Sequence, residues 1–126
     1  MSLITVTVRK PKSTAFKDGL FDAVQAALAA TGMAPTDEFQ RVLELDAEDF
    51  HFDTGYPDLS AARNDDFALI ELLWSAGRSA QVKKLFLDDL MKRLDASGYA
   101  PENVMVCFKE TSRENWSFAG GRVVHN

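Results

Sequence analysis

Arg78-Ser79 stand at the head of a segment whose apolar residues recur with helical spacing, and that placement has a chemical meaning. A cation at the amino end of a helix opposes the macrodipole, so it does not stabilise the helix. Together with the unpaired backbone N–H groups of the first turn it makes a site for an anion. The plain alternative is a solvated surface arginine. Asp37 follows a helix stop and precedes a strand, where exposed acids are common. Trp116 and Phe118 are two residues apart, so an extended chain points both to one side. Such a pair can anchor a contact between subunits. If Met1 is removed, Ser2 presents a primary α-amine with an ordinary pKa of about 7.7–8.0, able to carry charge or to form a Schiff base with a carbonyl. Other chemistries lack their residues. His51 and His125 are single and without metal-ligand spacing, and Cys107, inside the apolar run Val104–Phe108, reads as core packing. No phosphate loop, serine-nucleophile motif or zinc pattern occurs, so neither metal nor cofactor is expected.

The elements that must position these residues follow from the pattern of the chain. Its 126 residues suit a single domain, residues 1–126, and 46% hydrophobic with 26% charged residues is an ordinary globular balance. A net charge of −5 argues against nucleic acid or an anionic membrane as partner. There is no long apolar run and no signal-peptide pattern, which reads as a cytoplasmic protein. Thr31-Gly32-Met33-Ala34-Pro35 and Ser97-Gly98-Tyr99-Ala100-Pro101 repeat one pattern, a helix exit followed by a proline. Reading outward from these stops gives two β-α-β halves. Leu3–Arg9 is β-branched; a helix capped at Ser13 or Thr14 runs to about Ala30, with Phe16, Leu20, Val24 and Leu28 on one face; Phe39–Leu45 returns as a strand. Phe67–Trp74, a helix capped at Ser79 that buries Val82, Phe86, Leu90 and Leu94, and a strand over Asn103–Phe108 form the second half. Right-handed crossovers then place both helices on one face of a four-stranded mixed sheet. Residues 46–66 read as an insertion with a short strand near Phe50–Phe52. The strand Phe67–Trp74 is apolar on both faces apart from Glu71, so the uncovered face is expected to meet another subunit. The alternative is a monomeric α+β sandwich whose insertion folds over that face.

Four stretches, in order, resemble the tautomerase superfamily, and within it the malonate semialdehyde decarboxylase branch. Asp37-Glu38-Phe39-Gln40 looks like the entry into that family's second strand, and Asp53-Thr54-Gly55 like a piece of its insertion. Arg78-Ser79 resembles the opening of its second helix, and Asn115-Trp116-Ser117-Phe118-Ala119-Gly120-Gly121-Arg122 is similar to its Trp-Ser-Phe-x-x-Gly-Arg segment. The resemblance implies a homotrimer with sites between subunits, a small oxo acid as substrate, and an amino-terminal proline as catalytic amine. Carried over, it makes Asp37 the catalytic aspartate, Arg78 a carboxylate-binding arginine, and Trp116 and Phe118 the aromatic wall; Arg122 is a candidate interface ion-pair residue. Two positions depart from the family: Ser2 stands in the place of the proline, and Ala76 in the place of a first arginine. Catalytic candidates are therefore Ser2, Asp37 and Arg78, with Lys10 or Lys12 as possible substitute amines.

Two functions compete on these grounds. One is a tautomerase- or decarboxylase-like enzyme acting on a 2-oxo or 3-oxo acid. The other is a binding or scaffold protein that keeps the trimer and pocket and has lost the proline chemistry. A nucleic-acid-binding sheet is disfavoured by the acidic charge.

Overall fold

The computed structural model describes residues 2–33 and 39–123. Ser2–Arg9 forms β1, Thr14–Ala30 α1, Gln40–Leu45 β2, Ala68–Ser75 β3, Ala80–Ala96 α2 and Val104–Thr111 β4. The sheet order is β2-β1-β3-β4. β1 runs parallel to β2 and β3 parallel to β4, while β1 and β3 meet antiparallel at the centre. This is the expected pair of β-α-β units.

The two halves correspond without a gap. β3 (Ala68–Ser75) lies 66 residues after β1 (Ser2–Arg9), and α2 (Ala80–Ala96) 66 after α1 (Thr14–Ala30). Chemistry repeats with geometry. Ser13 Oγ accepts the Phe16 N–H at 3.0 Å and Ser79 Oγ the Val82 N–H at 3.1 Å, so each helix begins on a satisfied cap. Each ends at a glycine with φ near +91° (Gly32) and +92° (Gly98), a left-handed exit that other residues resist. Lys17 reaches Glu44, and Lys83 reaches Glu110, tying the start of each helix to its edge strand. The hydrogen bond from Lys17 holds the Glu44 carboxyl below its ordinary range.

Burial explains the layering. Ile4, Val6 and Val8 alternate with odd-numbered residues along β1, as Ile70, Leu72 and Trp74 do along β3, and all six are buried under the helices. Leu20, Val24 and Leu28 of α1 and Phe86, Leu90 and Leu94 of α2 complete this core at the helical spacing read from the chain. The opposite face is less covered. There Leu3, Leu43, Leu73, Glu71 and Lys109 surround a shallow depression; Lys109 pairs with Glu71 at 2.6 Å, and the Glu71 carboxylate raises its pKa.

Three expectations are corrected. Each later strand begins one residue further on; β2 (Gln40–Leu45) ends where expected, while β3 (Ala68–Ser75) and β4 (Val104–Thr111) also end later. No strand forms at Phe50–Phe52. A 3-10 turn at Ala47–Asp49 precedes them, and their rings pack on Phe67 at 5.8 and 4.4 Å, with Arg9 over Phe52 at 4.3 Å. Cys107 is not in the helix-covered core. Phe108 next to it faces α2, so the alternation of β4 turns Cys107, half-buried, to the other side, opposite Glu71. No helix among the described residues is long and apolar enough to cross a membrane.

The helix contact is close at Gly19. The Tyr99 hydroxyl donates to the Phe16 carbonyl at 2.6 Å, and a Cβ on Gly19 would lie 2.1 Å from that oxygen. Gly19→Ala is therefore expected to lower the unfolding free energy by about 1–3 kcal/mol, although alanine favours helix. Urea unfolding measures it, and the same change should cost less in a Tyr99→Phe chain, which lacks the nearest atom. A stabilised Gly19→Ala chain would contradict this packing.

Candidate functional site

The register of the central strands builds the site. Ser2 pairs with Trp74, so the start of β1 lies against the end of β3. Beyond Ser75 the chain turns through Ala76 and Gly77, whose φ of +107° suits glycine, and enters α2 behind Arg78. Arg78 thus returns to the strand end it has just left. Its guanidinium carbon sits 4.8 Å from the centre of the Trp74 ring. Trp74 itself is wholly buried, stacked on Phe108 at 4.9 Å and edge-on to Phe86 at 6.2 Å.

The carboxyl-terminal segment closes the same end. After β4 a 3-10 turn, Arg113–Asn115, is held by Asn115 Nδ2 donating to Thr111 Oγ1 at 2.7 Å. Phe118 then stacks on Phe39 at 5.5 Å and on Trp116 at 5.4 Å. Phe39 directly precedes β2, and its carbonyl accepts the Ile4 N–H at 2.9 Å. Since β4 and β2 are opposite edges of the sheet, the segment spans its full width. Three aromatic rings therefore border the end at which Ser2 and Arg78 lie.

Of the residues singled out in the sequence, Ser2, Arg78, Trp116 and Phe118 come to this end of the sheet. Ser2 is fully buried, Arg78 and Trp116 are half-buried and Phe118 is exposed. Asp37 and His125 lie outside the described residues. Arg122 and His51 are exposed. Lys10 and Lys12 follow the far end of β1, about 25 Å from Ser2 at 3.3 Å per residue, so within the chain neither can supply an amine there. Trp74 and Phe39 were missed. Trp74 was hidden because it is one more apolar residue in an apolar strand; its position four before Arg78 was the available signal.

The polar accounting of this end is open. Trp74 Nε1, Ser75 Oγ, Arg78 Nε and Trp116 Nε1 are all buried and have no hydrogen-bond partner among the described residues. A buried polar atom left unpaired costs about 1–3 kcal/mol, so four along one strand end call for an explanation. Three of the four are N–H groups that can only donate. The opposite end of the sheet differs. There Lys12, the residue 66 before Arg78, pairs with Asp66 at 3.5 Å and lies against the Pro11 carbonyl at 3.4 Å. A cavity of about 550 Å³ beside it is lined by Ser13, Phe16, Asp66, Tyr99 and Asn103, and Asn103 bonds Asn64 at 2.7 Å. Its charges and amides are already paired.

Comparison with known proteins agrees with this architecture. A family model described as "Tautomerase enzyme" matches residues 37–119. A malonate semialdehyde decarboxylase, solved as wild type, as a proline-to-alanine mutant and in inactivated form, is 25% identical, with a TM-score of 0.85 over 95% of this chain and 92% of that one. A second malonate semialdehyde decarboxylase, inhibited by 3-bromopropiolate, is 24% identical, with a TM-score of 0.85 over 95% and 91%. A fused 4-OT that forms a symmetric trimer shares the fold at 22% identity and a TM-score of 0.73, over 96% and 94%. None of the curated proteins compared matches the sequence.

The Phe39–Phe118 stack joins the carboxyl-terminal segment to the edge of β2. Phe39→Ala is expected to raise amide exchange over residues 116–122 by roughly five- to tenfold, the worth of one aromatic stack of about 1 kcal/mol. Exchange confined to β2 would show that the segment is held by something else.

Proposed function

The chain belongs to the tautomerase superfamily, in its malonate semialdehyde decarboxylase-like branch, and from that premise we propose that it binds a small 2-oxo or 3-oxo acid at the Ser2 end of the sheet. The observation that carries this reading is the set of buried polar atoms bordering that end that have no partner among the described residues: Ser75 Oγ, Arg78 Nε and Trp116 Nε1. Donor-only groups beside an arginine call for a ligand made of acceptors. A small oxo acid is such a ligand, with two carboxylate oxygens and a carbonyl oxygen. Arg78 holds the carboxylate through charge-assisted hydrogen bonds. Trp116 and Phe118 wall the ligand from water, which strengthens the contact. For Asp37 the role proposed is the one the family resemblance implies, to act on a water or an amine. The relative inhibited by 3-bromopropiolate, itself a three-carbon carboxylate, supports this ligand class.

Binding without the family's proline chemistry is the form of this reading that two substitutions favour. Ser2 stands where the family carries its catalytic proline, and Ala76 where it carries another arginine. A serine lacks both the secondary amine and the fixed ring, and a single arginine grips a carboxylate with one fork rather than two. Pyruvate and acetoacetate are the probes, with titration calorimetry as the measurement. Arg78→Ala is expected to weaken binding about 10- to 100-fold, the worth of hydrogen bonds to a charged group. Failure of the wild-type chain to bind either acid would sink the proposal. Turnover of malonate semialdehyde, or borohydride trapping of an imine at Ser2, would show that the site also performs chemistry.

The site is proposed to lie between subunits of a cytoplasmic homotrimer. The support is the sheet face turned away from the helices, where Leu43 and Met105 are 42% and 48% exposed and the Lys109–Glu71 ion pair is already made. Burying such side chains is favourable by about 25 cal/mol per Å². Leu43→Glu is expected to convert a particle with the mass of three chains into single chains, read by light scattering on a sizing column. Carboxylate affinity should fall with it. A wild-type chain that runs as a monomer would remove the interface from this account.

A further inference from the structure

We propose that Trp74 is the positioning residue for Arg78, holding the guanidinium over its ring and leaving its charge uncommitted. The inference rests on the oxo-acid reading and assigns a role to a residue outside the site candidates read from the chain. A half-buried arginine needs something to hold it, and the identity of the holder decides whether it can still bind a ligand. The guanidinium carbon lies 4.8 Å from the centre of the Trp74 ring. An indole face attracts a cation through its quadrupole and carries no net charge, so the cation's field is not cancelled.

The internal repeat supplies the contrast. Sixty-six residues before Arg78 is Lys12, and 66 before Trp74 is Val8. At that end no indole is available. Lys12 is held by the Asp66 carboxylate at 3.5 Å and the Pro11 carbonyl at 3.4 Å, with Phe16 the ring nearest it at 5.7 Å. A carboxylate that holds a cation also competes with any carboxylate that would bind it. At the Arg78 end the carboxylate beside Trp74 in the sheet, Glu110, is engaged by Lys83. Arg78 forms no ion pair among the described residues, and its Nε is buried without a partner.

The platform is rigid. Trp74 is wholly buried, its ring 17° from parallel with Phe108 and edge-on to Phe86. Tryptophan at the end of β3 therefore fixes where the guanidinium stands, and the valine at the equivalent place in β1 could not.

The test uses the full chain with Trp74→Leu, Trp74→Phe, Arg78→Ala and the double variant Trp74→Leu/Arg78→Ala, each checked for fold by circular dichroism. Pyruvate affinity is expected to fall about tenfold in Trp74→Leu, to be largely restored in Trp74→Phe, and to be no lower in the double variant than in Arg78→Ala alone. A folded Trp74→Leu chain with wild-type affinity overturns the proposal, as does an additive loss in the double variant. A second readout needs no ligand. The chain has two tryptophans, so in a Trp116→Phe background the emission belongs to Trp74. Arg78→Ala should shift that emission, and an unchanged spectrum overturns the contact even if Trp74→Leu does not fold. If the wild-type chain binds no oxo acid while the emission still responds, the ligand reading fails and the positioning of Arg78 by Trp74 stands.

Discussion

The antiparallel pairing of β1 with β3 is the constraint on which the rest of the molecule depends. It joins two β-α-β units at the sheet centre so that the beginning of one central strand lies beside the end of the other. Each unit must cross right-handedly to bury its helix, which puts both helices on one face and leaves the other face uncovered. It also gives the sheet two equivalent ends. At each, a strand starts, its neighbour finishes, and a helix capped by serine begins.

Equivalent backbone did not bring equivalent chemistry. At the Lys12 end the cation has a carboxylate, the amides of Asn64 and Asn103 bond each other, and Tyr99 donates to a carbonyl. At the Arg78 end the cation rests on an indole, and polar atoms that have left water have no partner among the described residues. Leaving polar groups buried and unmatched costs stability. A fold tolerates that where a ligand supplies the missing acceptors, which is why the Arg78 end, and not the cavity at the other, carries the functional reading.

The open face follows a different logic. One charge pair there is made internally, Lys109 with Glu71, and Arg41 donates to the Thr5 hydroxyl at 3.0 Å, so the face offers leucine side chains beside polar groups that already have partners. Such a surface can be buried against a copy of itself with its lysine and glutamate charges already paired. The carboxyl-terminal segment, drawn across the sheet end by the Phe39–Phe118 stack, links that surface to the wall of the site.

The local rules of the chain were enough for much of this. Caps at Ser13 and Ser79, exits at Gly32 and Gly98, and helical faces four residues apart are short-range features, so the repeat and both helices could be read directly. The segment around Trp116 and Phe118 was legible as a motif, and Arg78 as a cation before a helix. What could not be read depended on side chains far apart in the chain. Phe50 and Phe52 have strand composition, yet the rings they meet on Phe67 hold them in irregular chain. Cys107 sits in an apolar run whose facing is decided only once Phe108 is committed to α2. Trp74 is an ordinary strand residue until the turn through Gly77 lays Arg78 upon it. Sequence alone determined the elements and the family, because hydrogen bonding and hydrophobic spacing within a segment are local. Only the tertiary structure decided which of two matching strand ends keeps an uncommitted cation, because that depends on whether a carboxylate or an indole arrives from elsewhere in the chain.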